Sequence, residues 1–183
     1  SAVLQEILCF EPNEPAMRKP GYRKLDAAIW DREAELPFHV YGDRGTGSSL
    51  LEQDLQWVRE NFASLRHRGY RYLADTWFER SKPGPQIQVR AARLDTVLAN
   101  LRGNDPTAPT RYHFLKTDTQ SGEGHVLRGA EKFLHEECVG VEAELFFMPL
   151  YKGTTLAEDV ISYLRALGFV VAGRSPLKGS FNS

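Results

Sequence analysis

Apolar positions along the chain form short continuous runs that alternate with stripes at helical spacing. The runs predict strands over residues 3–10, 22–29, 36–41, 86–92, 112–117, 139–148 and 169–172. The stripes predict helices over residues 50–65, 94–101, 124–137 and 155–167. Because strand and helix alternate through the second half, the pattern predicts an α/β domain with a mostly parallel sheet.

Local signals refine the expected boundaries. Thr155 and Glu158 have the spacing of a capping box that opens the last helix, and Gly168 suits its C′ position. The strand at 36–41 is expected to pair with the strand before it. Residues 81–85 are expected to form a loop because proline and glycine cluster there, and the strand at 112–117 is expected to be buried.

Two of the predicted strands end in acidic or amide side chains. Glu11 and Asn13 close the first strand, and Asp118 and Gln120 follow the strand at 112–117. In open α/β sheets, ligands bind at the carboxyl ends of the strands. Glu11 can accept hydrogen bonds from both hydroxyls of a ribose, although a solvated loop glutamate has the same pattern. Asp118 can orient a donor or a cationic ligand, or it can cap a helix while paired with Lys116.

Composition limits the class of protein and its partners. The length of 183 residues is that of one domain, 1–183, with a sizeable core. The net charge of −1 gives no overall field that would attract nucleic acid or an anionic membrane. No apolar run approaches the roughly 20 residues of a membrane span, and no signal peptide is recognisable, so a cytoplasmic protein is expected. Cys9 and Cys138 are expected to be buried thiols, and the histidines show no metal-ligand spacing.

A set of short motifs follows the same order as the predicted elements. They read FEPN at 10–13, AAIWD at 27–31, SSL at 48–50, RLDTVL at 93–98, KTDTQSGE at 116–123, VLRGA at 126–130 and ELFFMPLY at 144–151. Each motif alone is unspecific, but in this order the set resembles the FkbM-type family of S-adenosylmethionine-dependent methyltransferases. The resemblance covers about residues 7–170, which is most of the chain.

This resemblance implies a Rossmann-like, doubly wound, mostly parallel sheet of the class I methyltransferase type, with a final antiparallel strand. It also implies transfer of a methyl group from S-adenosyl-L-methionine to a hydroxyl of a small molecule or glycan. The residues that it would place at the cofactor are Glu11 at the ribose, Ala28 and Asp31 at the adenine, and Asp118 and Gln120 towards the methionine, with Asn13 as a further cofactor-binding residue. The catalytic candidates are Asp118, Glu123 and Glu144, the last two on the acceptor side. His113 and His125 are further candidates for a general base, with His113 more naturally a packed strand residue.

The chain departs from the family pattern at three places. Ser121 stands where the pattern has glycine. Residues 52–85, within an aromatic-rich insertion over about 50–85, have no match. The favoured interpretation of the aromatic residues there is ordinary core, and the alternative is a helical cap over the acceptor site; they are Trp57, Tyr70, Tyr72, Trp77 and Phe78. The first strand of the fold and its glycine loop are also missing before Phe10. An N-terminally incomplete domain is therefore expected, either cut short or completed by another chain, which leaves a homo-oligomer open.

Competing functions follow from the same features. A non-catalytic remnant or interaction module would keep the sheet but lack cofactor binding, and the missing glycine loop favours it. A nicotinamide-dependent oxidoreductase would use Glu11 for the ribose, but the sequence around Asp118 argues against it.

Overall fold

The computed structural model describes residues 6–12, 21–42, 45, 47–67, 77 and 82–174. They form strands β1 (Ile7–Phe10), β2 (Tyr22–Leu25), β3 (Ala28–Ile29), β4 (Ala34–Tyr41), β5 (Pro83–Ala92), β6 (Phe114–Thr117) and β7 (Gly140–Ala143). The helices are α1 (Leu55–His67), α2 (Leu94–Asn104), α3 (Glu123–Gly129), α4 (Glu131–Glu136) and α5 (Ala157–Ala166). The protein is therefore a mixed α/β chain, as the hydrophobic pattern predicts.

Parallel pairing dominates the strands. β1 pairs with β2, β3 with β5, and β6 with β7, all in parallel, and the third of these registers sets Thr117 against Ala143. The described strands form sheets of two (β1-β2), three (β3-β5-β4) and two strands (β6-β7). These residues do not by themselves make one continuous doubly wound sheet. In the described part of the chain, no helix is long and apolar enough to cross a membrane.

The chain divides into two compact units. The first contains Ser1–Pro37, Gln88–Thr117 and Gly124–Ala143. Its core collects apolar residues from β3 and the position after it, from β5 and from α2 to α4: Ala28, Ile29, Trp30, Ala91, Ala92, Leu94, Leu98, Val126, Leu127, Phe133 and Leu134. Leu94 and Leu98 lie four residues apart on one face of α2, which is why this helix packs inwards.

The second unit contains Phe38–Ile87, Asp118–Glu123 and Glu144–Ser183. Its core is aromatic: Tyr41, Phe62, Trp77 and Tyr151 pack with Val58 and Leu150. Trp77 meets both Phe62 and Tyr151 edge to face, and Trp57 packs against the same cluster. These two tryptophans are thus core residues, whereas Tyr70, Tyr72 and Phe78 lie outside the described residues.

Several strand predictions are wrong in detail. β4 borders β5 and not β3, so the strand at 36–41 does not pair with its predecessor. β5 begins at Pro83, inside the expected loop. Phe114 is 59% exposed, so β6 is not fully buried. β7 ends at Ala143 because β6, which pairs with it, ends at Thr117. Residues 169–172 form no strand, and Val170 is 84% exposed.

The helix predicted over 124–137 is broken into α3 and α4 at Ala130. Gly129 lies against the backbone of the first unit, where a Cβ would fall 1.9 Å from the carbonyl oxygen of Trp30. Asp95 then caps the new helix, because its carboxylate accepts the backbone N–H groups of Lys132 (3.0 Å) and Phe133 (2.9 Å). The glycine of the VLRGA motif and the aspartate of the RLDTVL motif are therefore structural.

The prediction for the start of α5 is wrong, and the prediction for its end is correct. Its N-cap is Leu156, with no side-chain cap, so Thr155 and Glu158 do not form a capping box. Glu158 and Asp159 lie in the first turn, where negative charge favours the helix dipole. Gly168 adopts φ +92° and the N–H of Phe169 donates to the carbonyl of Leu164 at 3.0 Å, which is the predicted glycine C-cap.

Candidate functional site

The segment Asp118–Glu123 leaves β6 through a sharp turn. Gln120 and Ser121 have φ angles of 50° and 81°, in the left-handed region that glycine adopts most readily. Ser121 is fully buried and stands where the family resemblance expects glycine. The turn therefore keeps a glycine-like backbone with a serine in place.

Gln120 joins two carboxylates in this turn. Its Nε2 donates to Oδ1 of Asp118 at 2.9 Å and to Oε2 of Glu144 at 2.8 Å. Asp118 is exposed, and Glu144 is partly buried. The amide thus holds two acidic groups, 26 positions apart in sequence, around one nitrogen. Asp118, Gln120 and Glu144, which the sequence nominates separately, are in contact.

The burial and the charges around Glu144 favour retention of its proton near neutral pH. Burial raises the pKa of Glu144 to about 7, helped by the hydrogen bond with Asp118 and by the negative charges of Asp118 and Glu123, and opposed by the bond from Gln120. Two carboxylates this close resist ionising together. Glu144 can therefore both release and accept a proton near neutrality.

Glu123 is placed differently from Asp118 and Glu144. It is 2% exposed, and its Oε1 accepts the backbone N–H (2.8 Å) and the hydroxyl (3.0 Å) of Thr119. Burial raises its pKa, against the hydrogen bonds that it accepts. Its contacts run inside the turn, so Glu123 fixes the shape of the segment that carries Asp118 and Gln120.

Further hydrogen bonds hold this turn in the second unit. The Ser49 hydroxyl donates to the carbonyl of Thr119 at 3.2 Å and accepts the N–H of Leu51. The hydroxyls of Ser121 and Thr154 lie 2.8 Å apart. The SSL motif contains Ser49 and the KTDTQSGE motif contains Thr119, but neither suggested a role for them, and no sequence pattern signalled Thr154.

The residues expected around the cofactor nucleoside lie in the first unit. Glu11 follows β1 at its carboxyl end, and Ala28 is buried in β3 opposite Ala91. Asn13 lies outside the described residues. Both carboxylate oxygens of Asp31 are engaged: Oδ2 is 2.6 Å from Nδ1 of His125, and Oδ1 accepts from Arg32 at 3.0 Å.

His125 forms a compact group with Asp31 and Trp30. Its ring stacks on Trp30 with centroids 4.1 Å apart and an interplanar angle of 8°. Burial lowers the pKa of His125 although the bond to Asp31 raises it. For Asp31, burial raises the pKa, but the hydrogen bond with His125 and the nearby positive charges of Arg32 and Arg128 lower the pKa overall. An ionised Asp31 accepting Nδ1–H from a neutral imidazole satisfies both directions at pH 7.

The remaining histidine candidate is not packed as expected. His113 is exposed and precedes β6, and its carbonyl accepts the N–H of Val139 at 2.8 Å. Lys116, the expected partner of Asp118, bonds to Glu142 across the β6-β7 pair at 2.8 Å. Cys9 and Cys138 are free, partly buried thiols. Within the described ranges, no group of His, Cys, Asp and Glu side chains is arranged to hold a metal ion.

Comparison with known protein families identifies the domain. The model of the methyltransferase FkbM domain matches residues 2–171, nearly the whole chain. No curated protein and no solved structure matches. The match spans every motif of the ordered set and the turn Asp118–Glu123, called the carboxylate turn below, and the chain belongs to the FkbM methyltransferase domain family.

Proposed function

We propose that this protein is an S-adenosylmethionine-dependent O-methyltransferase that acts on a hydroxyl of a small molecule or glycan. The observation that carries the proposal is the pair Asp118–Glu144 bridged by Gln120, with a Glu144 pKa of about 7. Membership of the FkbM family supports the reaction class. The proposal also implies a Rossmann-like, doubly wound sheet.

The chemistry of an alcohol acceptor explains why such a pair is useful. Methyl transfer from a sulfonium needs an aligned acceptor oxygen, and the hydroxyl gains nucleophilicity when a base removes its proton. A base works best when its pKa lies near the working pH, which is the range of Glu144. Asp118 orients the acceptor, while Glu123 keeps the turn in place.

The residues present fit the chemistry of the cofactor. Glu11 at the carboxyl end of a parallel strand is suited to the hydroxyls of a ribose, and Asn13 is assigned to the cofactor from the sequence alone. Ala28 and Asp31 are assigned to the adenine end. Asp118 and Gln120 are assigned to the methionine end, where carboxylate charge suits a sulfonium cation. When bound, the cofactor supplies a methyl group already activated by positive sulfur.

A calorimetric titration with S-adenosylhomocysteine tests the proposal. Wild-type protein should bind saturably, and Glu11→Gln should weaken binding by about tenfold or more, because a charged acceptor of two hydroxyl hydrogen bonds is lost. Glu142→Gln is the matched control. Glu142 is exposed on β7 and paired with Lys116, so this variant should bind S-adenosylhomocysteine with the affinity of the wild type.

The other outcomes select the other functions. A folded wild-type protein that does not bind S-adenosylhomocysteine would indicate a non-catalytic module of the same fold. Binding of NADH in its place would indicate a nicotinamide-dependent enzyme.

A further inference from the structure

A cleft of about 460 Å³ lies between β4, β5 and the start of α1. Its lining includes His39, Tyr41, Gln53, Pro83, Pro85 and Gln86, and all of these belong to the second unit. We refer to it as the β4–β5 cleft. None of the sequence motifs points to it, and the cofactor residues proposed above do not line it.

Gln53 gives the cleft an unmet hydrogen-bonding requirement. The residue is 2% exposed, and its Oε1 has no hydrogen-bond partner among the described residues. A buried amide without a partner is costly, so it favours any ligand group that satisfies it. The adjacent Tyr41 hydroxyl accepts the backbone N–H of Gln53 at 3.0 Å, and in the described part of the chain nothing accepts its own proton.

The lining indicates the class of ligand. Gln53, Tyr41 and Gln86 are neutral polar groups, while Pro83 and Pro85 supply apolar surface. No lysine or arginine is among the described lining residues, and the lining carboxylate of Glu52 is paired with Lys152 at 2.9 Å, so an anion is disfavoured. A hydroxyl both donates and accepts, and it therefore satisfies the Gln53 amide in either orientation.

The cleft is connected to the carboxylate turn by a short chain of bonds within the second unit. His39 and Ser49 exchange backbone hydrogen bonds of 2.8 and 3.1 Å. The Ser49 hydroxyl then donates to the carbonyl of Thr119, the residue between Asp118 and Gln120. A ligand held against His39 and Tyr41 is thus coupled to the turn whose Gln120 contacts the proposed base, Glu144.

We propose that the β4–β5 cleft is the acceptor subsite and takes a neutral, hydroxyl-rich ring, such as a sugar or cyclic polyol, through Gln53 and Tyr41. This inference rests on the proposed function and names the acceptor class. The polar groups bind ring hydroxyls, and the prolines contact the apolar edge of the ring.

Saturation-transfer NMR tests the subsite with three probes: methyl β-D-glucopyranoside, methyl α-D-mannopyranoside and myo-inositol. Wild-type protein should transfer saturation to at least one probe, with amide shifts at His39, Tyr41 and Gln53. Gln53→Leu removes the amide at similar side-chain volume, so it should lower the affinity for that probe by about tenfold without lowering Tm. Gln56→Leu makes the same change on the exposed face of α1, where Gln56 bonds to Glu60, and should bind as the wild type does.

The results separate the subsite from the proposed function. Transfer to none of the probes, or equal affinity in Gln53→Leu and wild type, overturns the subsite even if S-adenosylhomocysteine binds. Probe binding that depends on Gln53 supports it even if S-adenosylhomocysteine does not bind, in which case the methyltransferase proposal fails alone. If Gln53→Leu does not fold, Gln86→Leu at the exposed rim takes its place: weakened probe binding supports the subsite and unchanged binding overturns it.

Discussion

Gln120 occupies an unusual position because a single side-chain nitrogen contacts two carboxylates. Asp118 follows β6 and Glu144 follows β7, so the parallel pairing of these strands brings both acids to the same edge. The amide compensates part of their repulsion without neutralising either group, since a carboxamide carries no charge. This arrangement leaves the negative charge available to a ligand.

Asp118 is an exposed residue of the site whose loss should affect chemistry without unfolding the protein. In the intact enzyme we expect Asp118→Ala to reduce methyl transfer by about 10²-fold or more, because the group that orients the acceptor hydroxyl is lost. The free energy of unfolding should change by less than about 0.5 kcal/mol because Asp118 is exposed. Release of S-adenosylhomocysteine with an acceptor found by screening is the measurement, and wild-type turnover would remove Asp118 from the site.

Ser121 allows backbone strain and hydrogen bonding to be separated. Its φ of 81° costs about 1 kcal/mol for a non-glycine residue, while its bond to Thr154 contributes a similar amount. Ser121→Gly loses the bond but relieves the strain, so its stability should stay within about 1 kcal/mol of the wild type. Ser121→Ala loses the bond and keeps the strain, so it should be the less stable variant by about 1 kcal/mol in urea unfolding. Equal stabilities would mean that the turn relaxes.

The sequence identifies the charged residues of the site better than their supports. Asp118 and Gln120 follow a predicted strand, so both the hydrophobic pattern and the resemblance point to them, whereas Glu144 lies inside the strand predicted over 139–148 and only the resemblance points to it. Thr154 lies 33 positions from Ser121, and Ser49 lies 70 positions from Thr119. Such contacts depend on which loops the fold brings together, and no local spacing encodes them.

At the scale of elements, the hydrophobic period predicts the centres of helices well and their ends poorly. Buried positions four apart locate α1 and α2, as with Val58 and Phe62. The break between α3 and α4 is set by distant partners, Trp30 and Asp95, which a helical pattern cannot reveal. The absent strand at 169–172 shows the converse: Val170 has the right residue type but is mostly exposed to solvent.

Gly129 is the position where an element boundary should be most sensitive. A Cβ there meets the Trp30 carbonyl at 1.9 Å, and the neighbour is backbone, so it cannot move aside cheaply. We expect Gly129→Ala to lower the free energy of unfolding by about 3 kcal/mol or more. Gly103→Ala in α2 is the control, since a Cβ there has nothing within 4 Å; it should stabilise by about 0.5–1 kcal/mol. Similar unfolding midpoints for both variants would contradict the close packing of Gly129.

At the scale of the whole molecule, titrating groups act on stability in opposite directions. The pKa of Glu144 is raised from 4.5 to about 7, so the folded state binds this proton more tightly. Its contribution is fully present below pH 4.5 and is lost as the pH rises through about 7. The pKa of His125 is lowered from 6.5, so its contribution to stability is present above pH 6.5 and is lost as the pH falls below that value. The pKa of Asp105 is lowered to about 2 by bonds from Thr107 and Arg23, so its contribution is lost only in acid.

These signs lead to a prediction for Glu144→Gln, which removes one titration and leaves the others in place. Wild-type stability should contain a component that decreases between pH 4.5 and 7, and the variant should lack it. The free energy of unfolding of the variant, taken relative to that of the wild type, should be about 1–2 kcal/mol higher at pH 8 than at pH 5. The full pKa shift would give a larger difference, but partial exposure of Glu144 to solvent reduces it. Urea unfolding at both pH values measures this difference, in which His125 and Asp105 cancel. Glu142→Gln, an exposed acid-to-amide change on β7, should instead follow the wild-type pH dependence. Parallel curves for Glu144→Gln and the wild type would show that Glu144 titrates normally and is not the proposed proton acceptor.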